Sequence, residues 1–312
     1  MAEVLRPMST GELLDRTFAL YRKNFKLFVG IATVGPAAYL VFQLLIVGSV
    51  GLPAATGKPG AFPGASFLIG MAAGFVIMLA GIAIANGATV KAVAAVHLGR
   101  PITIVESYKS LKGRIWRIFG VFLLVILLVS IGTAVIVIIA SILGSLAVIG
   151  GAQAGRVGTV LGIVGAIVAA VIGAMLVITI YIRYALAIPA CVVEDTGVLA
   201  SLKRSAFLSK GSRSRILAVY SVFFVLALVV GLAMNGLALL IATAFPNPIA
   251  RLVLVYFTGF IGGSLTGPLA TIGIALVYYD ERVRKEAFDL QWMMTSLDAP
   301  VPAGAVVVPA QP

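Results

Sequence analysis

The side chains that could do chemistry in this chain are few. Among its 312 residues there is one histidine, His97, and one cysteine, Cys191. A catalytic zinc site or an activated nucleophile needs several such groups close together. We therefore expect no metal site, no cofactor and no enzymatic activity, and an intramembrane enzyme is the least favoured alternative. His97 is interpreted as structural or interfacial, and Cys191 as an inert apolar residue.

Two glycine-rich segments resemble functional motifs without completing them. Residues 51–59 (GLPAATGKP) are like a phosphate-binding loop, but the spacing is one residue too long and proline replaces the required Ser or Thr. Residues 262–267 (GGSLTG) are like a nucleophile elbow with its last glycine displaced. We interpret the first as a plain loop. The second belongs to a set of glycines spaced for close helix packing: Gly70, Gly74, Gly259, Gly263 and Gly267.

A group of charged residues near predicted helix ends is more informative. It contains Arg183, Glu194, Asp195, Asp280 and Arg284. We predict that Arg183 pairs with Asp280 or with Glu194, because a guanidinium can bind a carboxylate through two hydrogen bonds. The alternative is that Arg183 extends to lipid phosphates. The group is interpreted as a salt-bridged helix end, with a ligand vestibule as the alternative.

The composition indicates an all-α membrane protein. Hydrophobic residues make up 61% of the chain and charged residues 11%, with a mean hydropathy of +1.13. Soluble domains have about 25% charged residues. Polar residues within the apolar stretches are few, chiefly Gln43, Asn86 and Asn235, and should hydrogen-bond between helices. Six stretches are long enough to cross a bilayer: residues 27–50, 67–96, 118–149, 158–180, 216–244 and 252–278.

The distribution of charge predicts the orientation of these six spans. All of the 23 Lys and Arg residues except Lys58, Arg156 and Arg251 fall on one side, together with all 11 acidic residues. Basic loops face the cytoplasm. We therefore predict a multi-pass protein of the bacterial cytoplasmic membrane with both termini in the cytoplasm. Its net charge of +12 indicates contact with anionic lipid headgroups and does not indicate nucleic acid.

Each odd-numbered span is preceded by a basic amphipathic stretch, at residues 9–26, 101–117 and 197–215. The first begins with the capping box Ser9–Glu12. We expect three interfacial helices, each followed by a two-helix hairpin. The pattern is explained by an internal repeat or by topology alone. The predicted organisation is a cytoplasmic amphipathic segment (residues 1–26), a transmembrane domain with interfacial helices (27–298) and a disordered tail (299–312).

Three passages resemble a bacterial family named for the membrane domain of glycerophosphoryl diester phosphodiesterase. They are residues 9–25 (STGELLDRTFALYRKNF), residues 189–195 (PACVVED) continuing to 202–205 (LKRS), and residues 278–290 (YYDERVRKEAFDL). The resemblance implies a stand-alone membrane region. The hydrolase that gives this family its name needs a metal-binding soluble domain, and this sequence has neither the histidines nor the polar segment for one.

These observations predict a non-enzymatic scaffold or accessory component in lipid or envelope processes, with membrane or cytoplasmic protein partners. The alternative is a permease for a lipid or a small apolar solute. Ionisable residues in mid-membrane, which coupled transporters commonly use, are absent from the six predicted spans. A polar cavity within the membrane would favour the permease, and a solid bundle with a groove between interfacial helices would favour the scaffold.

Overall fold

A computed structural model describes residues 6–51 and 65–287, and this part of the chain is all-helical. It has six helices long and apolar enough to cross a membrane, which confirms the predicted fold class. The tail at residues 299–312 and most of the loop at 51–59 lie outside the described residues. The helices are α1 (Thr10–Lys23), α2 (Phe25–Ala32), α3 (Val34–Ile46), α4 (Ala65–His97), α5 (Ile104–Lys109), α6 (Ile115–Tyr184), α7 (Ala187–Glu194), α8 (Val198–Ser209), α9 (Arg213–Ala242) and α10 (Pro248–Glu286).

The first span is interrupted near its Gly–Pro pair. It runs from Phe25 to Ser49 through α2 and α3 and the start of a short π-helical turn. Pro36 has no N–H to donate to the carbonyl of Ala32, four residues earlier, and α2 ends at Ala32. The Thr33 hydroxyl, at the break, donates to the carbonyl of Val29 at 2.7 Å. The first span is therefore divided between two helices, and the backbone at Thr33 keeps helical dihedral angles, with φ −55° and ψ −29°.

The third and fourth spans form an antiparallel hairpin within α6. A Cβ added at Gly132 would lie 3.4 Å from Val177, and one added at Gly173 would contact Ile136. Gly155 lies midway between these pairs and has φ 65° and ψ −155°, a conformation that side chains with a Cβ avoid. The hairpin therefore turns at the glycine.

The sixth span, α10, lies at the centre of the fold. It contacts α1, α2, α3, α4, α7, α8 and α9. Its most apolar segment is 56% buried inside the protein, whereas that of the third span is 0% buried. Ile272, Leu276 and Tyr278 are completely buried. The other spans and the amphipathic helices are therefore assembled around one helix.

The three predicted amphipathic helices are α1, α5 and α8, and they pack on one end of the bundle. The capping box of Ser9 and Glu12 is present in α1, and α5 has another between Thr103 and Glu106. The Tyr21 hydroxyl donates to the carbonyl of Leu265 at 2.7 Å, which ties α1 to α10. We call this end, with α1, α5, α8 and the last turns of α10, the basic end.

The glycines expected to pack helices do so in two cases. A Cβ at Gly74 would lie 3.2 Å from Phe42, and one at Gly263 would lie 3.4 Å from Pro36. A Cβ added at Gly70, Gly259 or Gly267 would meet no atom of the described residues within 4 Å, so a packing role for these three stays a prediction. Spacing by four identifies a helix face but not what that face meets. The helices are closer at two other glycines, because a Cβ added at Gly81 would lie only 2.6 Å from Ala38 and one added at Gly273 only 2.6 Å from Phe223.

Candidate functional site

The last turns of α10 carry a buried carboxylate that binds the N-terminal segment. The Asp280 side chain is 0% exposed. It accepts from the Met8 backbone N–H at 2.6 Å and from Arg284 Nε at 2.7 Å, and it pairs with Arg215. Arg215 and Arg284 each donate to the Met8 carbonyl at 2.6 Å. One carboxylate and two guanidinium groups thus bind the backbone N–H and the backbone carbonyl of a single residue, Met8.

A second charged group joins α7, α8 and α10. Glu194 accepts from Arg204 Nε at 2.8 Å and from the Tyr278 hydroxyl at 2.6 Å. Arg204 also pairs with Glu286, and Arg282 Nε lies 3.2 Å from Glu286. The hydrogen bonds that Arg204 donates to Glu286 and Glu194 raise its pKa, although partial burial opposes them. These contacts hold α7 and α8 against the terminal turns of α10 at the basic end.

The pairing predicted for Arg183 is wrong, because Asp280 and Glu194 are bound by other arginines. The Arg183 guanidinium lies over the ring of Tyr184, 5.7 Å from its centroid. Asp280 instead pairs with Arg284, which lies one turn farther along the same helix. Of the five predicted cluster residues, the structure brings Asp280 and Arg284 together.

The remaining acid of the predicted cluster, Asp195, lies apart from the two groups of α10. It pairs with Arg114 at 2.8 Å and Arg117 at 3.0 Å, on the loop and first turn before the third span. The sequence prediction missed Arg204 and Arg215 because their partners lie 10 to 82 residues away.

Two of the cavities among the spans have lining residues in common. The tyrosine cavity, 250 Å³, lies between the second to sixth spans and is lined by Tyr181, Tyr184, Tyr220 and Phe122 among others. The glycine cavity, 440 Å³, lies between the first, second and sixth spans. It is lined by both Gly–Pro pairs of the chain's first and sixth spans, Gly35–Pro36 and Gly267–Pro268, and by Gly259 and Gly263. The open space beside Gly259 and Gly267 is therefore a cavity wall and not a helix contact.

A hydrogen bond separates the two cavities. Thr271 Oγ1 donates to Asn86 Oδ1 at 2.8 Å, joining the second span to the sixth. Asn86, Gly267 and Thr271 line both cavities. The prediction that Asn86 bonds between helices is confirmed. Gln43 and Asn235 instead bond within their own helices, to Tyr39 and Gly231.

A third cavity, 420 Å³, lies at the basic end between α1 and the ends of α4 and α10. It is lined by charges of both signs, including Arg6, Glu12 and Arg16. His97 also lines it, 5.4 Å from the Tyr279 ring, and neither of its buried ring nitrogens has a hydrogen-bond partner in the described structure. The hydrogen bond from Arg6, with that from the Ser9 backbone, lowers the pKa of Glu12 to about 2. Of the five residues of the predicted charged group, Asp280 lines this cavity, and the ligand vestibule stays a prediction.

Comparisons with protein-family models, with curated proteins and with solved structures gave no match. The family resemblance of the three passages therefore stays a prediction. Within the described ranges, no three His, Cys, Asp or Glu side chains are grouped so that they could hold a metal ion. The described residues form a multi-pass helical protein in which the tyrosine and glycine cavities share part of their lining.

Proposed function

We propose that this protein is a permease that moves a lipid, or a small solute with an apolar body, through the tyrosine and glycine cavities. The observation that carries the proposal is the wall that the cavities share. Asn86, Gly267 and Thr271 line both, and one hydrogen bond of 2.8 Å joins the two helices there. A neutral hydrogen bond contributes about 1 kcal/mol, so opening this wall costs little.

The backbone at the glycine cavity favours the same function. Irregular backbone at membrane depth is tolerated where it lines a cavity or is buried in protein. Transporters place their substrate sites at such interrupted helices, and paired Gly/Pro interruptions mark them. Here Pro36 and Pro268 face the same cavity, and Gly263 approaches Pro36 closely. The first span is divided between α2 and α3 beside this cavity. The sixth span is one continuous helix, and the missing N–H of Pro268 gives it a place where it can bend.

The proposed orientation places the basic end in the cytoplasm of a bacterial cell. The positive-inside rule supports it, because the opposite side has few Lys and Arg residues. The tyrosine cavity then opens toward the cytoplasmic half of the bilayer, since Tyr184 lies at the end of its span. A cysteine at Arg251 should react with an impermeant thiol reagent in intact cells, and one at Lys109 should not. The reverse result would contradict this orientation.

Lipid movement can be measured directly in reconstituted vesicles. Vesicles of phosphatidylethanolamine and phosphatidylglycerol, with a trace of NBD-labelled phosphatidylethanolamine, are bleached from outside with dithionite. The protein should expose label from the inner leaflet. Gly259→Leu fills the glycine cavity and should slow this exposure. Gly236→Leu makes the same change at a fifth-span glycine with open space around it and should not. Equal rates for wild type, Gly259→Leu and protein-free vesicles would contradict lipid movement by this route.

A scaffold is the second candidate, and two exposed apolar side chains on α8 favour it. Leu199 and Phe207 are 68% and 54% exposed at the basic end. Large exposed apolar groups there contact lipid or a protein partner. Gentle purification from the native membrane should recover a partner that Leu199→Ser with Phe207→Ser loses. If the wild type and the double variant recover the same proteins, these two side chains contact lipid and not a protein partner.

A further inference from the structure

The tyrosine cavity has an aromatic wall contributed by three spans. Phe122 comes from the third span, Tyr181 and Tyr184 from the fourth, and Tyr220 from the fifth. The rings of Tyr181 and Tyr220 have centroids 5.0 Å apart and are inclined at 57°, so they form a corner. Aromatic faces carry partial negative charge and attract cations within about 6 Å. The Arg183 guanidinium already occupies such a position over Tyr184.

The charge of the lining restricts what can bind. Every residue that lines the tyrosine cavity is uncharged. An anion would lose its water there without gaining a basic partner. A primary ammonium would need acceptors for three N–H donors. A quaternary ammonium has no N–H, and its charge is spread over methyl groups, which aromatic side chains recognise.

We infer that the tyrosine cavity binds a quaternary ammonium group, carried either by a lipid headgroup or by a free small solute. This inference rests on the proposed function and names the class of its substrate. The corner formed by Tyr181 and Tyr220 contacts the methyl groups. Asn86 and Thr271, on the wall shared with the glycine cavity, offer hydrogen bonds to the polar remainder of the molecule.

The size and position of the cavity agree with a headgroup. Cavities for drug-sized ligands span about 300 to 1,000 Å³, and the tyrosine cavity holds 250 Å³. It can take a trimethylammonium group but not a whole lipid. Tyr181 is 42% exposed on the outside of the bundle. An acyl chain attached to the bound group can therefore stay among the surrounding lipids.

The test compares choline with dimethylbutanol, its uncharged isostere in which carbon replaces nitrogen. Binding of each to the purified full-length protein in detergent is measured by calorimetry. Choline should bind about tenfold more tightly, because the two differ only in the charge that the rings attract. Equal affinities would overturn the inference.

Ring variants locate the site. Tyr181→Phe keeps the ring and should keep the preference for choline, whereas Tyr181→Leu should lose most of it. Tyr220→Phe and Tyr220→Leu repeat the comparison if a Tyr181 variant fails to fold. Tyr39→Leu removes a ring that lines the glycine cavity and should leave the preference intact. A preference that survives both leucine variants of the tyrosine cavity would overturn the assignment.

A short-chain lipid separates the two sources of the group. Dihexanoyl phosphatidylcholine binding more tightly than choline, with dihexanoyl phosphatidylglycerol binding weakly, supports a lipid headgroup. The opposite order, with choline tighter, supports a free solute. If choline is preferred but vesicle transport is absent, the permease proposal fails and the site stands. If transport occurs without any preference for choline or phosphatidylcholine, the inference fails and the permease proposal stands.

Discussion

The sixth span and the hairpin of the third and fourth spans are all apolar enough to cross a membrane, but their surroundings are opposite. The most apolar segment of the sixth is 56% buried, whereas those of the third and fourth are 0% and 6% buried. The sixth span also carries Asp280, Glu281 and Glu286 in its terminal turns, where basic side chains from α8 and α9 meet them. Apolar residues thus have two roles in this protein. Those of the hairpin face lipid, and those of the sixth span pack against other helices.

The buried sixth span, and not the outer part of the hairpin, lines the cavities. The tyrosine and glycine cavities are both lined by residues of the sixth span. Two of the three residues that line both cavities, Gly267 and Thr271, belong to this span. In the hairpin, the tyrosine cavity takes residues near the basic end, Phe122 and Tyr181 among them, whereas Ile139 and Ile163 farther along it are largely exposed. Changes along the sixth span should therefore affect stability and transport, and matched changes in the outer hairpin should affect neither strongly.

The largest contrast is expected between two aspartates. Asp280→Asn removes a carboxylate that is 0% exposed and that pairs with both Arg215 and Arg284. Breaking a buried pair costs about 3–5 kcal/mol. Asp195→Asn affects an acid that is 47% exposed, and such pairs contribute about 1 kcal/mol or less. Unfolding in mixed micelles measures both. Equal losses in the free energy of unfolding would show that the buried pairs of Asp280 stabilise the protein no more than the exposed pairs of Asp195.

A pair of leucines tests the same contrast without charge. Leu276→Ala in the sixth span opens a cavity at a completely buried site and should cost about 2–5 kcal/mol. Leu161→Ala in the hairpin changes a side chain that is 67% exposed and should cost much less. The same micelle unfolding assay compares them. A large loss for Leu161→Ala would show that the outer hairpin is packed against something else.

The wall between the cavities should give a smaller effect. Thr271→Val removes the donor to Asn86 and should cost about 1 kcal/mol, because a partly buried amide oxygen loses its partner. Adding Asn86→Leu should recover part of this loss, since replacing both partners by apolar groups is nearly neutral. A double-mutant cycle in the unfolding assay measures the coupling. Additive losses would mean that the hydrogen bond does not join the second and sixth spans.

The smallest effect should come from the exposed cap of α1. Arg6 and Ser9 lower the pKa of Glu12 to about 2 from its usual 4.5. A lowered pKa means that the stabilisation is fully present above pH 4.5 and is lost as the pH falls through about 2. Hydrogen exchange in the first turn of α1 should quicken over that interval beyond its intrinsic pH dependence. Glu12→Gln should abolish this extra change.

The sequence predicts the spans and the amphipathic helices because each depends on local pattern. Continuous apolar runs, the Ser9–Glu12 capping box and the basic flanks are all short-range signals. The pairing of Arg183 was predicted wrongly because charge pairing depends on which helices become neighbours. The glycines show the same limit: Gly263 and Gly267 share a periodic pattern, yet only the first meets Pro36. The cavities could not be predicted, because they arise from three to five helices that meet in space.

The central claim is that the two cavities belong to one route across the membrane, and thiol accessibility tests it most directly. In a Cys191→Ala background, Ala270→Cys lines the tyrosine cavity and Gly259→Cys the glycine cavity. Impermeant reagents are applied to right-side-out and inverted vesicles. The account predicts reaction of Ala270→Cys from the cytoplasmic side and of Gly259→Cys from the outside. Reaction of both from one side, or of neither from any side, would contradict it.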